Sequence, residues 1–363
     1  MLDFNVFMDA DRVLVAEKDA EILNLQSQMA GIARHIVTLR AERQLAQERL
    51  DSYRYPVLTL PNEITSEIFL HFVPAYPEAS PLTGLLSPIL LTHICCLWRE
   101  VAQSTVALWQ TIDFTWDGSK QPSEEEMTSI VTLWLERSQS APISVEATYE
   151  DPSIPIPTVL FRHSARYERL SLSVEDAEEL SGFNGPMPLL HALSLKFHEH
   201  SFNADIFQNV PLLRTLELED CGTLSVRLPW SQLTSLTMGY VGTQDVASIL
   251  REASNLAYLS LNLWDTENGM IHVADIALIH LEHLVFGTCE SDDEFFAHLV
   301  TPALRHLELP EYFLQQSGSV VESLQAFISK SGCELEKLYI TKAFLSEVEY
   351  RNAFPSISVT TRR

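Results

Sequence analysis

The stretch LRTLEL at residues 213–218 decides the fold of this chain, because its pattern of leucines, L-x-x-L-x-L, recurs along the sequence after residue 160. The eight copies of the pattern are YERLSL (167–172), LHALSL (190–195), LRTLEL (213–218), LTSLTM (233–238), LAYLSL (256–261), LEHLVF (281–286), LRHLEL (304–309) and LEKLYI (335–340). Their central leucines follow one another at intervals of 20 to 31 residues, mostly 23. Self-similarity at such a period indicates a repeat architecture.

One repeat cannot cover its own leucines, whereas stacked repeats bury them in a continuous core. Each buried leucine contributes about 1.5–3 kcal/mol before conformational entropy is counted. Helical segments between the motifs, at residues 245–252, 293–300 and 320–330, are expected to cover the sheet on one side. The sequence therefore predicts an α/β fold: a solenoid over residues 161–363 with a curved parallel sheet and helices on its convex side.

The residues that flank each central leucine are expected to point to the concave side, because side chains alternate along a strand. Aromatic, histidine and acidic side chains at these positions suit contacts with another protein. The alternative interpretation is an ordinary solvated sheet face. The candidate target-binding residues are Glu217, Tyr258, His283, His306, Glu308 and Tyr339.

Residues 10–50 contain no proline and one glycine, and their apolar side chains recur with heptad spacing. The two apolar sets are Val15, Ile22, Met29, Ile36 and Leu50, and Leu25, Ile32, Leu39 and Ala46. Arg43 interrupts the first set. The spacing predicts a long helix over residues 1–53. Two interpretations stay open: a short coiled coil that makes a homodimer through residues 15–50, and a helix that folds back on its own chain.

Residues 57–110 have the pattern of a compact block of three short helices. Pro61 suits a first helical turn, where its missing N–H costs nothing. The apolar residues that follow share one helical face, and two later helices are expected around residues 85–91 and 93–103. Trp109 is expected in the core. Residues 111–160 are predicted to form a connecting helix and strand that cap the repeats.

The composition restricts the function classes. The chain has 24 basic and 49 acidic residues, a formal charge of −25, which disfavours nucleic acid and anionic membranes as partners. The uncharged stretch at residues 79–98 contains prolines and a glycine, so we do not expect it to span a membrane. The five cysteines form no C-x-x-C motif, which predicts free thiols in the cytoplasm or nucleus, with the pair Cys95 and Cys96 in a helical core.

Motifs for chemistry are missing from the sequence. It contains no glycine-rich phosphate loop and no G-x-S-x-G nucleophile motif. The triplet HEH at residues 198–200 has no matching set of cysteines, so a metal site is not expected there. The sequence therefore predicts a protein that is not an enzyme, with no catalytic residues, no metal and no cofactor.

Two family resemblances follow from these residues. The eight motifs resemble leucine-rich repeats, and residues 57–110 resemble an F-box. The residues that carry the F-box resemblance are Leu60, Pro61, Glu63, Ile64, Ile68, Phe69, Leu97, Trp98, Leu108 and Trp109. The whole arrangement is similar to the fungal F-box proteins that combine an N-terminal coiled-coil helix, an F-box and C-terminal leucine-rich repeats.

The resemblance implies a function in protein degradation. In that family the F-box docks on a Skp-type adaptor, which joins the cullin scaffold of a ubiquitin ligase, and the repeats hold the protein substrate. The implied adaptor-binding residues are Leu60, Pro61, Ile64, Ile68, Phe69, Leu97 and Trp98. The acidity of the chain favours a substrate with a basic patch. The alternative function is a scaffolding protein that dimerises through its N-terminal helix and never meets the ligase.

Overall fold

The structure is a computed structural model in which the chain forms two compact units, Met1–Asn62 and Glu63–Arg363. It describes residues 2–53, 55–74, 78–114, 123–147, 158–174, 179–183, 185–197, 201–202, 207, 209–224, 228–263, 274–287, 293–314 and 319–362. No helix among these residues has both the length and the apolar composition that crossing a membrane requires.

The first unit consists mainly of one helix, α1 (Leu2–Ser52), which confirms the predicted long N-terminal helix. A short 3-10 turn at Pro56–Thr59 follows it. At 1.5 Å per residue, α1 is about 75 Å long. Between residues 8 and 52, the positions of α1 are exposed apart from the half-buried Gly31 and Ala46.

Shorter helices follow along the chain, and two of those in the described residues, α5 (Glu124–Arg137) and α9 (Glu347–Ala353), begin with a capping box. In the first helix after residue 114, Ser123 and Glu126 form a reciprocal capping box. The further helices in the described residues are α2 (Asn62–Leu70), α3 (Ile89–Ile94), α4 (Cys96–Ser104), α5 (Glu124–Arg137), α6 (Thr243–Glu252), α7 (Asp293–Ala297), α8 (Val320–Ser331) and α9 (Glu347–Ala353).

The second unit is built on a large parallel sheet. The strands in the described residues are β1 (Thr111–Asp113), β2 (Ile143–Ala147), β3 (Tyr167–Val174), β4 (Ala192–Phe197), β5 (Ser201–Phe202), β6 (Thr215–Leu224), β7 (Ser235–Val241), β8 (Tyr258–Leu263), β9 (Ile276–Ala277), β10 (His283–Phe286), β11 (Leu299–Val300), β12 (His306–Pro310), β13 (Lys337–Thr341) and β14 (Ser358–Arg362). Eleven of them pair in the order β1-β2-β3-β4-β6-β7-β8-β10-β12-β13-β14, and β5 pairs with β6. The strands β9 and β11 form a separate parallel pair. The spatial order follows the chain order, as stacked repeats require.

One buried ladder of apolar side chains runs through all eleven strands. We call it the core column, and its members are Ile112, Val145, Leu170, Leu193, Leu216, Leu236, Leu259, Leu284, Leu307, Leu338 and Val359. All of them are buried. The eight central leucines of the sequence motifs therefore lie in register on consecutive strands, as the repeat pattern predicts.

Helices occur in the three connections where the sequence predicts them, although α7 ends before residue 300, because Leu299 and Val300 form β11. The connection from β7 to β8 contains α6, and that from β12 to β13 contains α8. Between β3 and β4 the described residues contain only a 3-10 turn, at Glu179–Gly182. Pro186 and Pro188 fall in that connection and cannot supply the N–H groups of a helix interior. Between β6 and β7 a 3-10 turn at Trp230–Gln232 fills the shortest interval of the array.

Ser80 and Leu82, in the segment between α2 and α3, cover the free edge of β1. Backbone hydrogen bonds join Leu82 N to Asp113 O and Asp113 N to Ser80 O, both at 3.2 Å. Trp109 is fully buried, as expected, and meets Trp134 of α5 edge to face, with 5.2 Å between the ring centroids. An edge strand that is covered in this way cannot pair with another chain.

The two predicted helices of this block begin later than the sequence suggests. Pro88 precedes the first turn of α3, and Gly84 adopts a φ of +98°, so the chain is not helical before residue 89. The prediction that Cys95 and Cys96 form a buried helical pair is wrong. Cys95 is extended and separates α3 from α4, and Cys96 is exposed.

Replacing Leu216 with Arg should unfold the sheet. The charge would enter the centre of the core column without a partner, at a cost of about 4 kcal/mol or more. The matched control is Thr215→Arg, because Thr215 is exposed on the same strand. Thermal unfolding is followed by circular dichroism. Leu216→Arg should show no cooperative transition near the melting temperature of the native chain, and Thr215→Arg should unfold as the native chain does. Equal melting curves would contradict the strand register.

Candidate functional site

Two rows of mostly polar side chains cross the sheet on the face opposite the core column. We call this surface the open face. The first row is Thr111, Ser144, Arg169, Ala192, Thr215, Ser235, Tyr258, His283, His306, Lys337 and Ser358. The second row is Asp113, Glu146, Ser171, Ser194, Glu217, Thr237, Ser260, Val285, Glu308, Tyr339 and Thr360. All six candidate target-binding residues lie in these rows.

The C-terminal end of the open face is aromatic. Tyr258, His283 and His306 lie side by side on β8, β10 and β12. The two imidazole rings stack in parallel, with 4.2 Å between their centroids and 2° between their planes. The Tyr258 ring lies 6.3 Å from that of His283. Tyr258 and Tyr339 remain 37% and 39% exposed, so flat apolar surface is available to a partner.

His306 is a partly buried member of this group. Its Nδ1 is buried and has no hydrogen-bond partner among the described residues. Burial lowers the pKa of His306, and the neighbouring His283 and Lys337 lower it further because they oppose a second positive charge. The stack is therefore held together best when His306 is neutral.

The other end of the open face contains a cavity of about 250 Å³ between β2, β3, β4 and β6. It forms there because Ser171, Ala192 and Ser194 are small, while the side chains around them are longer. Glu146 and Glu217 place carboxylates in its lining, together with the guanidinium of Arg169.

Glu146 and Arg169 were not among the sequence candidates. Burial raises the pKa of Glu146, and the adjacent carboxylate of Asp113 raises it further. The signal for both residues is present in the sequence. Apolar and polar residues alternate at residues 143–147, which include Glu146, and Arg169 flanks the central leucine of the first motif. Only the strand register shows that Glu146 and Arg169 line the same cavity as Glu217.

A second surface lies on α2. Ile64 and Ile68 are one helical turn apart and are 50% and 47% exposed. Phe69, on the other side of the helix, is buried and packs edge to face on Trp98, with 5.0 Å between the ring centroids. Phe69 therefore anchors α2 to the block and does not offer a surface to a partner.

The remaining implied adaptor-binding residues differ in exposure. Leu97 and Trp98 are half-buried and pack against the core of the second unit. Leu60 and Pro61 belong to the first unit, and both are exposed. Sequence reasoning missed Leu85, Leu86 and Ile94, which are exposed apolar residues in and just before α3.

Local hydrogen bonds hold α3 and α4 together. The Sγ atom of Cys95 accepts a hydrogen bond from the Trp98 backbone at the start of α4, at 3.4 Å. Arg99 Nε donates to the carbonyl oxygen of Thr92 at 2.8 Å, which ties α4 to α3. Trp109 Nε1 donates to the carbonyl oxygen of Ala102, also at 2.8 Å. These hydrogen bonds hold the two helices and the following turn in one defined arrangement.

Among the described residues, no group of three or more His, Cys, Asp or Glu side chains is placed to hold a metal ion. The HEH triplet at residues 198–200 lies outside the described residues. No protein-family model matches the chain, and a comparison with curated proteins finds no match.

The stability of the protein should depend on pH through His306. Because its folded-state pKa is lowered, protonation favours the unfolded state, and stability is lost as the pH falls below the ordinary histidine range. The melting temperature of the native chain should fall from pH 7.5 to pH 5. In His306→Gln this fall should be smaller by about 1–2 °C. His280→Gln is the control, since His280 is exposed. A His306→Gln variant with the native pH dependence would contradict this role.

Proposed function

We propose that this protein is a substrate receptor of a Skp-cullin-F-box type ubiquitin ligase. The block of α2, α3 and α4 binds the Skp-type adaptor, and the open face binds the protein target. The observation that carries the proposal is the exposed isoleucine pair of α2, on a helical block in the same compact unit as the repeat-built sheet. The receptor itself performs no chemical step.

The adaptor side of the proposal follows from the exposed apolar surface. Contiguous apolar side chains on a small helical block mark protein interfaces. Ile64 and Ile68 present methyl groups to solvent, while Phe69 and Trp98 hold α2 in place from beneath. The resemblance to the F-box adds Leu60 and Pro61, which come just before α2 in the chain.

The repeats are proposed to be leucine-rich repeats. Eight central leucines in register on consecutive parallel strands support this assignment, as do the helices between the C-terminal strands. In a solenoid of this kind the open face is the concave side. The irregular connections, with 3-10 turns near the first strands and helices later, represent variation within one repeat type.

The open face is proposed to bind a protein with a basic segment. Its two rows contain four carboxylates and two side chains of Lys or Arg. These are Asp113, Glu146, Glu217 and Glu308, with Arg169 and Lys337. The chain as a whole has a formal charge of −25, which steers a basic partner toward it. The exposed rings of Tyr258 and Tyr339 provide the apolar contact that binding energy requires. We place this function in the cytoplasm or nucleus.

The adaptor-binding surface can be tested by co-purification. The native chain should capture a purified Skp-type adaptor at micromolar concentration. Ile64→Asp/Ile68→Asp should weaken capture at least about tenfold, because the new carboxylates lose water in the interface. Leu60→Ala/Pro61→Ala should also weaken it. The control is Glu63→Ala/Glu67→Ala, which changes exposed polar positions of the same helix.

Two results would overturn this part of the proposal. If the native chain does not capture the adaptor, the receptor function fails and the scaffolding alternative takes its place. If the isoleucine variants capture the adaptor as well as the native chain does, α2 is not the docking surface. Circular dichroism of each variant must match the native spectrum for these comparisons to count.

The target-binding surface can be tested by proximity labelling in the native cell. Tyr258→Ala/Tyr339→Ala should lose the labelled proteins that depend on the open face. The control Phe344→Ala/Val348→Ala removes apolar side chains that are at least as exposed but lie outside the two rows. Identical labelling by the native chain and the open-face variant would show that targets bind elsewhere.

A further inference from the structure

The helix α1 exposes a heptad seam whose members are mostly apolar. Its a and d positions between residues 8 and 46 are Met8, Asp11, Val15, Lys18, Ile22, Leu25, Met29, Ile32, Ile36, Leu39, Arg43 and Ala46. All are exposed except Ala46, which is half-buried. Helices gain most of their stability from packing of an apolar face, so a helix of 51 residues with this seam in water lacks its main source of stability.

The charges along α1 are divided between its two halves. Residues 8–26 contain five acidic and two basic side chains, a net charge of −3. Residues 28–46 contain one acidic and three basic side chains, a net charge of +2. Two parallel copies would align acidic with acidic and basic with basic. Two antiparallel copies would align opposite charges, which is the complementary arrangement.

We propose that α1 pairs with α1 of a second copy as an antiparallel coiled coil whose twofold axis passes near Ser27. In this register Leu25 faces Met29 of the second copy, and Ile22 faces Ile32. Val15 faces Leu39 in the same way. The seam then stays continuous from residue 8 to residue 46, about 58 Å at 1.5 Å per residue.

The three charged seam residues select this register. Asp11 of one copy faces Arg43 of the other, and this pair occurs twice by symmetry. Lys18 faces Ile36, along which its aliphatic stem can lie while its ammonium group reaches water. In a parallel pair each of these residues would face its own copy and be repelled. A shift of the antiparallel pair by one heptad that places Val15 opposite Ala46 would bring Lys18 opposite Arg43, which is also repulsive. A shift by one heptad in the other direction would place Asp11 opposite Ile36 and remove the attraction between Asp11 and Arg43.

The seam can be tested by sedimentation equilibrium of the purified full chain without any adaptor, so the result is independent of the proposed ligase function. The native chain should form a dimer. Ile22→Asp should weaken the dimer at least about a hundredfold, because it buries two unpaired charges. Leu23→Asp is the matched control, since Leu23 is the next residue on the same helix and lies off the seam. A monomeric native chain, or equal effects of the two variants, would overturn the proposal.

The orientation can be tested by exchanging the charges. Asp11→Arg and Arg43→Asp should each weaken the dimer about tenfold, because each turns two attractions into two repulsions. The double variant Asp11→Arg/Arg43→Asp should restore native affinity. A parallel dimer would show nearly equal affinity in all four chains. A dimer in which Arg43→Asp binds more tightly would have the shifted register. Either result would overturn the arrangement proposed here.

Discussion

The second unit depends on the core column, one ladder of buried leucines and related residues that continues from β1 to β14. A parallel strand cannot be joined to its neighbour by a tight turn. The chain therefore needs a crossover connection from the end of one strand to the start of the next. Burial of the core column stabilises each added strand, because every new strand covers the leucine of the strand before it. The length of the connections can therefore vary, and helices and 3-10 turns occur in the same array.

The alternation that buries the core column also creates the open face. Every residue next to a central leucine must point away from the core, whatever its chemistry. Side-chain size then divides this face into two regions. Small residues on β3 and β4 leave a cavity with carboxylates in its lining, whereas rings on β8, β10 and β12 fill the surface and stack. The proposed partner, a protein with a basic segment and apolar groups, would match both regions.

Much of the fold could be predicted from particular residues. The repeated leucines predict eight consecutive strands, and the heptad spacing before residue 53 predicts α1. The cavity could not be predicted, because it depends on which strand neighbours which and on how β2 aligns with β3. The position of Phe69 beneath α2 is a similar case: Phe69 shares an apolar pattern with Ile64 and Ile68, and only packing against Trp98 separates the buried residue from the exposed ones.

Periodicity alone determined that this chain has a long N-terminal helix and an array of parallel strands, because both structures repeat at a fixed interval that the leucines reveal. The tertiary structure decided which of these side chains became buried and which polar residues came together. Cys95 and Cys96 illustrate the difference. The chain breaks between α3 and α4 at Cys95, whose side chain caps α4, and Cys96 is exposed. The burial of Phe69 against Trp98 depends instead on a contact between residues distant in sequence, and a local pattern contains no information about such contacts.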